Sequence, residues 1–302
     1  MTTTRPRVTA IMATWNWSSV LPFSIRSALQ QSFADFELLV IGDACTDDSE
    51  QVVRGIGDER VRWINLPKNH GHQTGPNNEG LRQARGELIA YLGHDDLWLP
   101  HHLALLVDAI DRGADVAWGI TRMVAPTRPD LDGVHAFGSF RPGLWLPPSS
   151  VVHRKELTDR AGGWRDYREL EMDPDTEVWS RLAAAGARMD GIPRLTVVKF
   201  PAATRQDVYR DKPCHEQSEW LARISTEADL EPVELARALM QAADRNVPKP
   251  YTRLLAEVAQ RAIRGTVSRL LPRDKRRRQK EFFESRLRFK GVGPVEGRGQ
   301  GE

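Results

Sequence analysis

Cysteine is nearly absent from this 302-residue chain, which has only Cys45 and Cys214. Two thiols are too few for a disulfide framework or a thiolate zinc site; they fit a reducing compartment and argue against redox chemistry. Long apolar runs are missing too. Nothing approaches the roughly eighteen uncharged residues of a membrane span, and Met1-Thr2-Thr3-Thr4-Arg5-Pro6-Arg7 lacks the apolar segment of a signal peptide. The expectation is a cytoplasmic protein. No internal repeat is visible. A composition of 40% apolar and 28% charged residues is that of an ordinary soluble globular chain.

A strong overall charge is also lacking, but the net +2 conceals an asymmetry. Residues 251–302 hold 14 Lys or Arg against 6 Asp or Glu, net +8, so residues 1–250 carry −6. An acidic body argues against nucleic acid as a partner, while the tail is left to meet something anionic. Leu254, Leu255, Val258, Ala262, Val267, Leu270 and Leu271 lie beside Arg253, Arg261, Arg264 and Arg269, ahead of Arg276-Arg277-Arg278. Two readings stand: a basic amphipathic segment lying on anionic lipid, or a helix packed on the body with a solvated basic end.

What is present is an alternation of strands and helices. Apolar runs at Val8 to Met12, Phe36 to Ile41 and Leu88 to Leu92, and the alternating Val61 to Asn65, read as strands. Between them, helical spacing of Leu21, Ile25, Ala28 and Leu29, a short helix through Val52 and Val53, and a helix from Pro76 to Ala84 complete βα units. The pattern predicts an α/β protein with a mostly parallel, doubly wound, Rossmann-like sheet. Further on, a helix carries Leu103, Leu106, Val107 and Ile110, and Asp115 to Ile120 reads as a strand. The Pro- and Gly-rich stretch 126–148 reads as a loop or hairpin over the site. Ser150 to His153 and Leu195 to Phe200 read as strands and Thr176 to Ala185 as a helix. Beyond Pro213 only helices are expected. The organisation predicted is a ligand-binding half over 1–115, a second half over 116–212 and a helical extension over 213–302.

Chemistry concentrates at Gly93-His94-Asp95-Asp96, where a strand apolar on both faces stops at two adjacent carboxylates. Ligands bind at the carboxyl ends of strands in open α/β sheets. Adjacent acids repel unless a cation lies between them, and hard oxygen donors suit Mg²⁺ or Mn²⁺ bridging to phosphates. A solvated turn capping the following helix is the alternative. Asp43 and the pair Asp173 and Asp175 are the other acids at strand ends or helix starts.

The series Val8-Thr9-Ala10-Ile11-Met12-Ala13-Thr14-Trp15-Asn16, then Gln30 through Asp43, Thr46-Asp47-Asp48 and Gly93 through Pro100 resembles a family 2 glycosyltransferase with the GT-A fold. Weaker similarity runs through Gly162-Gly163-Trp164 and Asp175 to Leu182. The resemblance implies an inverting transfer of sugar from a nucleoside diphosphate donor, UDP favoured, to a hydroxyl of a glycan or lipid-linked glycan. It implies that Asp43 binds the nucleotide base, since a carboxylate accepts directional hydrogen bonds from a base N–H. Thr14 and Asn16 then line the nucleotide pocket, as does Asn78 on the third helix. Asp95 falls on the metal-ligating aspartate, with Asp96 beside it. Asp175 stands where the family has its catalytic base, and Asp173 and Glu177 are the acids next in line. The chain departs from the pattern at Gly93, which replaces the first acid of Asp-x-Asp and leaves His94 as a possible compensating group. Asn77 replaces an Arg, so Lys68, His70 and His72 become candidates for a diphosphate contact. A sugar-nucleotide pyrophosphorylase would need a basic, Gly-rich loop after the first strand, which Ala13-Thr14-Trp15-Asn16 does not supply. An inactive GT-A binding module is the other alternative.

Overall fold

A computed structural model describes residues 5–135, 138–245 and 284–285. The expected segment 254–271 and the Arg276–Arg278 cluster lie outside the described residues. In chain order the elements are β1 (Val8–Thr14), α1 (Leu21–Leu29), β2 (Phe36–Gly42), α2 (Ser49–Gly55), β3 (Val61–Asn65), α3 (Thr74–Gln83) and β4 (Leu88–Tyr91). There follow β5 (Leu97–Trp98), α4 (His102–Asp111), β6 (Val116–Met123), β7 (Gly133–His135), β8 (Val151–Arg154), α5 (Lys155–Ala161) and α6 (Pro174–Ala184). The last described are β9 (Met189–Lys199), α7 (Val208–Asp211), α8 (His215–Thr226) and α9 (Leu230–Arg245).

One sheet runs in the order β3-β2-β1-β4-β8-β6-β9-β5, with β7 paired to β6. The first four strands are parallel, as the βα alternation requires, and Val8 sits opposite both Phe36 and Leu88. The second half is mixed: β8 is antiparallel to β4 and β6, β7 to β6, and β5 to β9, while β6 and β9 are parallel. The fold class is as expected; the parallel pairs are those of the first half and β6 with β9, and the remaining pairs of the second half are antiparallel. Of the stretch 126–148, Gly133–His135 (β7) pairs antiparallel with the end of β6. β5 and the start of β9 carry no strand pattern in the sequence; β5 is only two residues long, and the beginning of β9 is interrupted by Gly191 and Pro193, which weaken a strand signal.

The central strands read as continuous apolar runs because both their faces are covered. Ala10, Met12, Leu38 and Val40 pack with Leu21 and Ile25 of α1 and with Leu103, Leu106 and Ile110 of α4. The intervening Ile11, Leu39 and Ile41 face the other way, towards Leu81 of α3 and Val178, Trp179 and Leu182 of α6. A third cluster joins Leu97, Ile120, Leu195 and Phe200 to Trp220, Leu221 and Ile224 of α8. α9 is tied down by Glu234, fully buried, which takes bonds from Arg122, Arg223 and Arg237 at 2.9, 2.9 and 2.7 Å. Among the described residues no helix is long and apolar enough to cross a membrane.

Candidate active site

The carboxyl ends of β1, β2 and β4 open on the same edge of the sheet, and the turns that leave them carry the expected residues. At the end of β4, Asp96 N donates to the Gly93 carbonyl, closing a tight turn. That turn sends the two aspartates to different environments. Asp96 is fully buried: Lys199 Nζ lies 2.8 Å from Oδ2, Ser149 Oγ donates to the same oxygen, and Phe200 N lies 3.3 Å from Oδ1. Asp95 is partly exposed, and burial followed by the charge of Asp96 pushes its carboxyl above the usual range, with His94 and Lys199 opposing. A Cβ on Gly93 would come within 2.6 Å of Asp96 Oδ2. Asp96 therefore fills the space that an acid at position 93 would need.

Lys199 closes β9, whose register against β6 brings its ammonium to this turn. Burial alone would lower its pKa; Asp96, Asp95 and Asp175 outweigh that and hold it above the usual value. His94 is buried, with Nδ1 donating to the Ala13 carbonyl at 3.1 Å, and its ring meets Trp17 at 5.2 Å and Tyr209 at 6.2 Å. Its Nε2 is buried without a hydrogen-bond partner among the described residues.

Asp175 lies in the first turn of α6, where Asp173 caps the helix by accepting from Asp175 N at 3.3 Å. Asp and Pro at a helix start are favourable. Asp175 is 8% exposed. Gln73 Nε2 donates to Oδ1 at 2.7 Å and Trp145 Nε1 to Oδ2 at 3.3 Å. Burial, then repulsion from Asp173, push its pKa up to about 7 against the pull of Lys199 and the two donors. Glu177 is engaged elsewhere, with Arg181 at 2.8 Å and Arg165 at 3.2 Å.

On the β1 and β2 side, Thr14 Oγ1 is buried with no partner among the described residues. Asn16 takes a left-handed conformation, φ +46°, which Asn tolerates. Its Oδ1 accepts from Thr46 N at 2.7 Å and Asp47 N at 3.3 Å, tying the two turns together. Asp43 is nearly covered: both oxygens accept from His70 N, at 2.9 and 3.1 Å, and Oδ2 from Gly71 N at 3.2 Å. Asn78 is spent on the Trp164 backbone, donating to its carbonyl and accepting from its N–H, both at 2.8 Å. That clamp needs Gly163, φ +72°, because a Cβ there would lie 2.5 Å from Asn78 Oδ1. Lys68 is exposed, and His72 stacks on Tyr167 at 4.9 Å.

The structure thus brings Asp95, Asp96 and Asp175 around Lys199, and gathers Thr14, Asn16 and Asp43 at neighbouring strand ends. Sequence reasoning missed Lys199, Ser149, Gln73, Trp145 and Tyr209. Lys199 had a signal, a lone charge embedded in Leu195-Thr196-Val197-Val198-Lys199-Phe200. Tyr209, on α7, packs on Trp17 at 5.4 Å, and burial with the nearby Asp95 and Asp96 raises its pKa. A cavity of about 710 Å³ lies at the opposite end of the sheet, by Arg7, Arg85 and Arg154, away from all of these groups.

The family profile described as "Glycosyl transferase family 2" matches residues 9–163. The chain is 32% identical over 100 residues to the UDP-Glc:alpha-D-GlcNAc-diphosphoundecaprenol beta-1,3-glucosyltransferase WfgD of Escherichia coli, covering 33% of this chain and 39% of that protein. Its matches span about a third of the length of the curated relatives. In fold it resembles TarS of S. aureus in complex with UDP-GlcNAc (TM-score 0.54, 20% identity, 78% of this chain and 72% of that one). It also resembles the mannosyltransferase PcManGT of Pyrobaculum calidifontis in complex with GDP-Man and Mn²⁺ (TM-score 0.54, 20% identity, 97% and 89%). The fold is the GT-A fold of glycosyltransferases.

Proposed function

The chain belongs to glycosyl transferase family 2, and from that premise we propose that it transfers a sugar, with inversion, from a nucleoside diphosphate donor to a hydroxyl of a glycan or lipid-linked glycan. The observation that carries this reading is the cluster of Asp95, Asp96 and Asp175 around the half-buried Lys199. It combines an acid turn facing the diphosphate end of a donor with a separate carboxylate able to take a proton. UDP is the favoured nucleotide because UDP-Glc is the donor in the name of the E. coli relative. The lipid diphosphate in that name makes a lipid-linked acceptor the parallel suggestion here, reached from the cytoplasm with the basic tail of residues 251–302 against the membrane.

In this mechanism Asp175 takes the proton from the acceptor hydroxyl as it attacks the anomeric carbon opposite the leaving diphosphate. A carboxylate is basic enough because such transfers have oxocarbenium character, as in inverting glycosidases. Gln73 and Trp145 orient it, each holding one carboxylate oxygen. Its pKa of about 7 places the base near neutral pH, where proton transfer is best matched.

The residues present fit a divalent cation. Mg²⁺ and similar ions bind through one or two carboxylates plus substrate phosphates, and no group of three His, Cys, Asp or Glu assembles a closed cage among the described residues. Asp95 would hold the ion. Asp96, with both oxygens engaged, orients that turn, and His94 Nε2 is the neighbouring buried atom left without a partner among the described residues. When bound, Mn²⁺ or Mg²⁺ supplies Lewis-acid stabilisation of the departing diphosphate.

A thermal-shift panel of UDP, GDP, CDP and dTDP sugars with Mn²⁺ tests the reading, since a ligand of the native state raises its apparent stability. Stabilisation by one sugar nucleotide that disappears in Asp95→Ala, with turnover of that donor by the wild type, is expected. Binding without any turnover would indicate a GT-A binding module instead.

A further inference from the structure

One short stretch of chain reaches both the carboxylate of Asp175 and the acid turn after β4. Trp145 Nε1 donates to Asp175 Oδ2 at 3.3 Å. Further along, Ser149 Oγ accepts from Gly93 N at 3.0 Å and donates to Asp96 Oδ2, so a single hydroxyl grips the turn on either side of Asp95. Between these ends the Leu146 carbonyl accepts from Trp179 Nε1 at 3.0 Å, and the Ser149 carbonyl accepts from Trp98 Nε1 at 2.7 Å. Ahead of them Gly143 N donates to Ser180 Oγ at 3.2 Å. Trp179 and Ser180 belong to α6, the helix of Asp175, and Trp98 to β5, which follows the acid turn. Leu146 through Ser150 are buried, although the sequence around them reads as a loop.

The connection is stiff as well as short. Pro147 and Pro148 fix two successive φ angles and restrict the residue before each. Pro147 stands at φ −59° and ψ +130°, and Ser150 donates to its carbonyl through both N and Oγ, at 2.9 and 2.7 Å. Fully extended, a piece of this length spans at most about 14 Å between its outer Cα atoms. We propose that Trp145 to Ser149 is a strap that sets the separation of the proton-accepting carboxylate from the cation-holding turn, with Ser149 the positioning residue at the turn and Trp145 the positioning residue at the base. Neither has to touch the donor. The strap acts by keeping Asp175 and Asp95 in a fixed relation, which an in-line attack requires because the base and the departing diphosphate stand on opposite sides of the anomeric carbon. The inference rests on the nucleotide-sugar reading above.

Release of UDP from UDP-glucose with Mn²⁺, water standing in for the acceptor, tests it on the full chain, alongside titration of UDP-glucose binding. The double variant Pro147→Gly/Pro148→Gly removes no hydrogen bond, since only the carbonyls of these residues are used and glycine keeps them, but it frees both φ angles. It should hold donor affinity and KM within about twofold and lose about tenfold or more in kcat, as a misplacement of about 1 Å can cost about a hundredfold. Trp145→Phe, which keeps a ring without the N–H, and Ser149→Ala should each lower kcat. Combined, they should cost little more than the worse of the two, because either cut alone already loosens the strap. Unchanged kcat in the glycine variant, or losses that multiply in the combined variant, overturns the strap and leaves the donor reading standing. Should the glycine variant fail to fold, the Trp145→Phe and Ser149→Ala pair decides. A wild type that neither binds UDP-glucose nor releases UDP overturns the donor reading itself, and this inference with it.

Discussion

Asp175 is held at a thermodynamic cost, and removing its charge should reveal it. Its pKa rises from 3.8 to about 7 on folding, so between those values the native state binds the proton more tightly than the unfolded chain. Stability therefore falls as pH rises through this window, and the full cost is reached above about 7. At about 1.36 kcal/mol per unit the three-unit shift amounts to about 4 kcal/mol at alkaline pH, and to less than half of that near pH 5, where the unfolded carboxyl is already ionised and the folded one still protonated, so that most of the cost accumulates between there and pH 7. Asp175→Asn cannot ionise. One of its donors, Gln73 Nε2 or Trp145 Nε1, will face the amide nitrogen rather than an oxygen, but that penalty does not depend on pH. It cancels in the difference between conditions. Relative to the wild type, Asp175→Asn should gain about 2–3 kcal/mol more at pH 8.5 than at pH 5, which is about 5–10 °C in melting temperature for a domain of this size. Thermal or urea melts of both proteins at the two pH values measure it. The same variant should lose transfer while still binding donor. An advantage equal at both pH values, or reversed, would refute the placement of a buried, proton-accepting carboxylate at residue 175.

Other consequences can be checked in parallel. Lys199→Met leaves Asp96 buried without its cation and should destabilise by about 3–5 kcal/mol, most of which Asp96→Asn should restore in the double variant, as read by urea unfolding. Asp95→Ala should retain the wild-type melting temperature while losing Mn²⁺-dependent stabilisation by a sugar nucleotide; loss of fold instead would assign Asp95 a structural role. Deletion of residues 251–302 should abolish sedimentation with anionic vesicles, and binding of the full chain should weaken as salt rises, since basic residues near such a surface contribute about 1 kcal/mol each. Equal indifference of the full chain to anionic and neutral vesicles would leave a glycan not carried on lipid as the better acceptor.

The fold was most legible where burial was most complete. Phe36 to Ile41 and Leu88 to Leu92 have apolar side chains on both faces, and two faces are what a strand between helix layers requires; the parallel first half follows from that and from the short connections. The second half was less readable for the opposite reason. β9 carries exposed Asp190 and Arg194 and the breaker Pro193 before its apolar end, and β5 is two residues inside what reads as the approach to a helix. Pairing between strands distant in sequence, such as Leu97 with Val198, leaves no periodicity to detect.

The candidate site divides along the same line. Acids at strand ends announce themselves because a carboxylate that stops an apolar run marks where a buried strand leaves the core, and Asp95, Asp96, Asp43 and Asp175 are legible in that way or as acids at a helix start. Their division of labour is hidden from the sequence, because it depends on which neighbours the fold delivers. Asp95 and Asp96 are adjacent and chemically identical, yet one is left partly exposed and the other is buried against Lys199, a residue 103 positions away. The absence of an acid at Gly93 takes a different meaning in three dimensions: the Asp96 carboxylate stands 2.6 Å from where a Cβ would be. A second negative side chain there would have to displace Asp96 from the Lys199 ammonium, so glycine at 93 and the Asp96–Lys199 pair are one structural choice, and the turn retains Asp95 as its outward-facing acid.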